Sequence, residues 1–298
     1  MTAIGARKKK KTMTTMIKRL LTAAFFLCAC APANSPAQAQ AQSPPGSLFA
    51  AETDRQWRLP ERLREISGLA LSPDGRLFAH DDEQAVIYEL DTREGRIVKA
   101  FALGDAEIVR GDFEGLAITP NGDFWMTTSQ GRLYRFREAA DGARTRFERF
   151  DTGLRDVCEI EGLAHLAAEE SLILACKQNQ TRSMRDTVSL HAWRIGANQA
   201  ASPWRQWPVA ALATAAGVEN FRPSSLDIDA STGRLLLLSA RNAALAEIDG
   251  ETITSARALG RQHTQAEGVV SLADGSLAIS DEGGDGLALL SIYPRTAP

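Results

Sequence analysis

The sequence predicts an all-β fold: a β-propeller of five blades of four strands each, closed by its own N-terminal strand. Three observations carry that expectation. A unit recurs from Ile66 onward, a turn follows about six residues into each unit, and an unpartnered β-rich segment, Arg55-Gln56-Trp57-Arg58-Leu59, precedes the first unit. A period of roughly 40 to 50 residues filled by four short strands is the mark of radial repetition, in which no unit can bury its own faces alone.

The units open at Ser67-Gly68-Leu69-Ala70, Glu114-Gly115-Leu116-Ala117, Glu161-Gly162-Leu163-Ala164, Ser225-Leu226-Asp227-Ile228 and Glu267-Gly268-Val269-Val270, at intervals of 47, 47, 64 and 42 residues. Turns follow at Pro73-Asp74-Gly75, Pro120-Asn121-Gly122, Ala168-Glu169-Glu170, Ser231-Thr232-Gly233 and Ala273-Asp274-Gly275. Asp-Gly and Asn-Gly between apolar runs favour hairpins because both residues tolerate positive φ. Second strands are expected at Arg76–His80, Asp123–Thr127, Ser171–Ala175, Arg234–Leu238 and Ser276–Ser280. Third strands read Ala85–Leu90, Gly131–Phe136, Val188–Trp193, Ala244–Ile248 and Leu287–Tyr293, and the more polar outer strands Ile97–Ala102, Arg144–Phe150, Trp204–Val209 and Ile253–Ala258. The fifth unit lacks an outer strand, so the Arg55–Leu59 segment is expected to supply it. The long third interval holds Ala-rich Pro208–Gly217, read as a short helix on an insertion. Six blades and a two-sheet sandwich are the alternatives.

The chain carries 34 Lys+Arg and 37 Asp+Glu, but residues 1–29 hold seven basic residues and no acidic one. Without them the balance is 27 against 37, or −10. So acidic a body repels phosphate backbones and anionic headgroups, and no nucleic-acid partner is expected. The basic run precedes an apolar stretch, Leu20–Ala29, too short to span a bilayer, which reads as a signal peptide over 1–29. Leu27-Cys28-Ala29-Cys30 resembles a bacterial lipobox, with Cys30 as the lipidated residue; Ala29-Cys30-Ala31 also suits ordinary secretory cleavage to a soluble periplasmic product. Residues 30–54, poor in apolar side chains, are expected to be a flexible linker, and 55–298 the propeller domain. The expected location is the periplasmic side of the cell envelope, on the outer membrane through the lipid alone. Cys158 and Cys176 then remain in an oxidising compartment, at the same end of one expected hairpin, and are expected to form a disulfide.

In a propeller the residues at one repeat offset of the first strands form a ring around the axis. Here that ring is Ser67, Glu114, Glu161, Ser225 and Glu267. Converging carboxylates repel, so either their pKa values rise or a cation neutralises them. Hard oxygen donors suit Ca²⁺, which takes about 6 to 8 oxygens. The competing reading has Glu joining neighbouring blades, with Lys177 and Arg241 as counter-charges. Asp82 and Glu83, with Asp281 and Glu282 at the matching offset of the fifth unit, are further candidate ligands or a solvated rim.

Ile66–Ala70, Phe113–Ala117, Cys158–Ala164 with Leu174–Lys177, and Gln265–Val269 resemble the SdiA-regulated (YjiK-like) family over about residues 56–293. The resemblance implies an exported β-propeller with a Ca²⁺-compatible centre at Glu114, Glu161 and Glu267; the chain departs from the family pattern at Gln130, Gln178 and Arg241. The function expected is a monomeric binding module for a small ligand or an envelope protein, holding Ca²⁺. The alternative is a Ca²⁺-assisted hydrolase of lactonase, esterase or phytase-like type. No Gly-x-Ser-x-Gly elbow or His-Glu-x-x-His helix is present, so nucleophilic-serine and zinc-helix hydrolysis find no support, and no catalytic residue is assigned.

Overall fold

A computed structural model of the protein describes residues 43–197 and 199–296. The expected signal peptide and Cys30 lie outside the described residues. Among those described, no helix is long and apolar enough to cross a membrane.

Five sheets form a five-bladed propeller, which excludes the six-bladed and sandwich alternatives. Strand β1 (Arg55–Arg58) comes first in the chain but belongs to the last blade. Blade one holds β2 (Ile66–Leu71), β3 (Leu77–Asp81), β4 (Val86–Asp91) and β5 (Arg96–Leu103). Blade two holds β6 (Phe113–Ile118), β7 (Asp123–Thr128) and β8 (Arg132–Arg137), and its outer segment splits into β9 (Arg144–Thr145) and β10 (Phe147–Asp151). Blade three comprises β11 (Cys158–Leu166), β12 (Ser171–Asn179), β13 (Thr187–Arg194) and β14 (Ser202–Pro208), followed by the expected helix, α1 (Val209–Ala216). Blade four comprises β15 (Pro223–Ile228), β16 (Leu235–Ser239), β17 (Ala244–Asp249) and β18 (Thr252–Ala258), and blade five β19 (Ala266–Ser271), β20 (Leu277–Asp281) and β21 (Leu289–Tyr293).

Ring closure is as expected: β1 completes the fifth sheet, antiparallel to β21, with Arg55 opposite Ile292 and Trp57 opposite Leu290. This covers an edge that would otherwise expose a row of unpaired N–H and C=O groups. Two expectations need correction. The outer strand expected over Arg144–Phe150 is two strands, because Arg144–Thr145 crosses to pair in parallel with Ala102 and Leu103 of blade one while Phe147–Asp151 pairs with β8. The linker expected over 30–54 does not extend to residue 54. Phe49 is fully buried and bridges Arg295, and the Ser47 hydroxyl donates to Glu247 Oε1 at 2.5 Å.

The middle strands read as nearly unbroken apolar runs because each sheet is buried on both faces. Period-two alternation sends Leu172 and Leu174 into the cluster shared with blade two, and Ile173 and Ala175 into the one shared with blade four. Five such clusters result, one at each junction between blades. The turns into the second strands need a left-handed residue. Gly75 and Gly122 supply it at φ 81° and 80°, and in blade three Glu170 does so at φ 49° after a single 3₁₀ turn.

Candidate functional site

Each inner strand carries a β-bulge near its start. The register against the second strand shifts between Ile66 and Gly68, Phe113 and Gly115, Ile160 and Gly162, Pro223 and Ser225, and Ala266 and Gly268. The residue inside each shift is unpaired, and a bulge re-aims the side chain it carries. Ser67, Glu114, Glu161 and Glu267, the ring members expected in blades one, two, three and five, occupy these bulged positions. In blade four the bulged residue is Ser224, so the expected ring member Ser225 is displaced by one; a one-residue slip changes the face on which a strand residue lies. Ser224 donates to the Ala266 carbonyl at 2.7 Å, while Ser225 accepts the Val269 N–H at 3.2 Å, tying blade four to blade five.

The glycine after each acidic residue has a steric cause. A Cβ on Gly115 would lie 2.7 Å from Leu163 Cβ and 2.8 Å from Leu163 N, and one on Gly162 would lie 2.9 Å from Leu226 N. The inner strands approach too closely for a side chain there, and that approach crowds the carboxylates of successive blades.

The same register makes Asp82, Ser129, Ala240 and Glu282, each just beyond its second strand, equivalent to Lys177, which lies within the longer β12. Lys177 therefore stands where blades one and five carry acids. Its Nζ donates to Glu161 Oε1 at 2.8 Å and lies 3.6 Å from Glu159 Oε1. Glu114 Oε2 accepts the Ser67 hydroxyl at 3.0 Å, and Glu282 is held by Gln265. Arg241, the other expected counter-charge, is exposed and makes no ion pair.

One ammonium does not balance this mouth. Burial, and then the charges of Glu161 and Asp112, raise the Glu114 pKa well above the usual carboxylate range. Burial raises that of Glu161 as well, with Lys177 opposing. Glu267 is pushed up to about 8 by burial, then by Glu161 and Glu282. Glu282 reaches about 7 through burial, Glu65 and Asp82, and Asp82 is raised by burial and Glu65. Asp82 Oδ1 is buried without a hydrogen-bond partner.

The donor chemistry therefore fits a hard cation, since apart from the Lys177 ammonium the charged groups facing the mouth are carboxylates and the negative charge is in excess. Among the described residues, however, no three carboxylates bring oxygens within 4.8 Å of one another. The group that meets this distance is Cys158, Cys176 and His191, whose two sulfurs are joined in the expected disulfide with Cα atoms 5.7 Å apart.

Two candidate ligands stand apart from the axis. Glu83 is exposed and lines a cavity of about 300 Å³ beside Asp82, Glu65 and Arg64. Asp281 is fully buried behind the mouth, where its Oδ2 meets His263 Nδ1 at 2.7 Å, and His263 Nε2 in turn meets the Tyr293 hydroxyl at 2.5 Å. That relay was missed from sequence because its members belong to a loop and two strands with no shared spacing. Asp112, Glu65 and Glu159, which add charge to the mouth, fell outside the repeat offset that was read as the ring.

No curated protein matches the chain in sequence. Among solved structures, the glutaminyl cyclase of Myxococcus xanthus is similar at 12% identity and TM-score 0.52, covering 83% of this chain and 97% of that one, which shows a shared propeller fold. The PQQ-bound aldose sugar dehydrogenase of Streptomyces coelicolor matches at 15% identity and TM-score 0.48, over 82% and 99% of the two chains. XC5397, a gluconolactonase of Xanthomonas campestris, matches at 17% and 0.45, over 77% and 72%. The family described as SdiA-regulated matches residues 49–284.

Proposed function

Taking as premise that the chain belongs to the SdiA-regulated family, we propose that it is an exported, lipid-anchored propeller whose acidic axial mouth takes up Ca²⁺ and presents that face to a small ligand or envelope protein. The observation that carries this reading is electrostatic. Glu161 and Glu267 are buried and Glu114 half-buried at one mouth, where Lys177 is the one cation paired with them among the described residues, and Asp82 Oδ1 has no hydrogen-bond partner. Burying like charges is costly unless a cation compensates them. Glu114 and Glu267 would supply ligand oxygens, Glu161 would keep Lys177, and the ion would supply the missing positive charge. The disulfide supports export, since such bonds persist in oxidising compartments. On this reading the protein is a binding module that acts as a monomer at the periplasmic side of the outer membrane.

The test is calorimetric titration of chelator-treated protein with CaCl₂, alongside the double variant Glu114→Gln/Glu267→Gln. Saturable binding that the double variant loses is the expected result. Absence of heat, together with a melting temperature indifferent to Ca²⁺ in the unaltered protein, would overturn the cation reading. Radiolabelled palmitate incorporation that depends on Cys30 tests the anchor separately.

A further inference from the structure

The opposite end of the channel is built by the residues that finish the inner strands. Three positions beyond each bulged residue, the register-equivalent side chains are Ala70, Ala117, Ala164, Asp227 and Val270. Four are small or apolar, and blade four alone carries a carboxylate. This end opens into a cavity of about 560 Å³ walled by apolar side chains from all five blades, among them Leu71, Ile118 and Ile228. A volume of that size, apolar with a few placed polar groups, is what small-molecule sites show.

Asp227 is the unbalanced group in it. Its Oδ2 accepts both donors of Ser271, the N–H at 2.8 Å and the hydroxyl at 2.6 Å. Beyond Ser271 only the Ile228 backbone N–H bears on this carboxylate, burial raises its pKa, and no cation among the described residues is paired with it; the residue keeps partial exposure while lining the cavity. The other acid there, Asp229, is held by Arg295 at 2.9 and 3.2 Å. No Lys or Arg lines the cavity, and burial lowers the pKa of His165, favouring its neutral form. An isolated carboxylate in an apolar wall is complementary to one cationic donor attached to an apolar body.

We propose that this mouth, remote from the acidic ring, binds a small apolar molecule bearing a single ammonium group, with its body against Leu71, Ile118 and Ile228 and its ammonium on Asp227. The site is independent of Ca²⁺ at the other mouth.

The test compares n-octylamine, 1-octanol and octanoate by calorimetric titration at neutral pH. The amine should bind about tenfold to a hundredfold tighter than the alcohol, as expected for a hydrogen bond to a charged group, and octanoate should bind weakest. Asp227→Asn, which retains an acceptor for Ser271, should reduce the amine to the affinity of the alcohol. Leu71→Trp, which fills the cavity, should weaken both. Equal affinities, no binding by any of the three probes, or an amine preference that survives Asp227→Asn would each overturn the proposal, the last by placing the ammonium at the acidic ring. Should Asp227→Asn fail to fold, the amine-to-alcohol ratio of the unaltered protein and its response to Leu71→Trp still decide.

Discussion

Replacing Glu267 by glutamine should stabilise the metal-free protein in a way that depends on pH. Burial, Glu161 and Glu282 move the Glu267 carboxyl from 4.5 to about 8. Because the folded pKa is raised, its favourable contribution is complete below the unfolded value near 4.5 and is lost as pH rises through 8. Across that window the unfolded chain ionises this carboxyl while the folded chain retains its proton, so stability falls by roughly 1 kcal/mol per pH unit. Glutamine cannot ionise and escapes the loss. The variant should match the parent near pH 4.5 and exceed it by roughly 2 kcal/mol or more at pH 8, with part of the relief passing to Glu161 and Glu282. Urea unfolding at several pH values in EDTA, with the slope m held in common, reads this directly. Saturating CaCl₂ should reverse the order, because a cation that binds only the folded state stabilises the ionised parent by mass action. A difference in EDTA that stays flat from pH 4.5 to 8 would refute the premise that the ring is electrostatically strained.

Lys177→Met leaves Glu161 without its 2.8 Å partner. It should cost about 1–2 kcal/mol at pH 8, below the figure for a fully buried pair because the lysine side chain is 44% exposed. The cost should fade by pH 5, where Glu161 is protonated, and urea unfolding at the two pH values checks it. Gly115→Ala puts a methyl 2.7 Å from Leu163 Cβ and should lower stability by about 1–3 kcal/mol, seen as a fall in melting temperature. Reducing the Cys158–Cys176 bridge, which spans 18 residues, should cost about 3 kcal/mol, measurable as a lower melting temperature in dithiothreitol.

The sequence by itself determined the architecture. Repetition of Glu-Gly ahead of an aliphatic pair is a local record of a global constraint, since Gly115, Gly162 and Gly268 stand where one inner strand presses on the next. The missing fifth outer strand and the spare Arg55–Leu59 segment likewise foretold closure, because an uncovered sheet edge is unstable. Cys158 and Cys176 were legible for a similar reason, lying on paired antiparallel strands.

What only the tertiary structure decided depends on register and on contacts between segments far apart in the chain. Blade four has Ser-Ser where its neighbours have Glu-Gly or Ser-Gly, so sequence could not tell which serine is bulged, and hydrogen-bond register selects Ser224. The assignment of Lys177 to Glu161, the withdrawal of Asp281 onto His263 and the docking of Phe49 beside Arg295 follow from packing across blade faces. Asp227 looked like one more member of a repeated tetrapeptide. Its distinctiveness emerges once the five strands are superposed by register and it alone puts a charge where the others put Ala or Val.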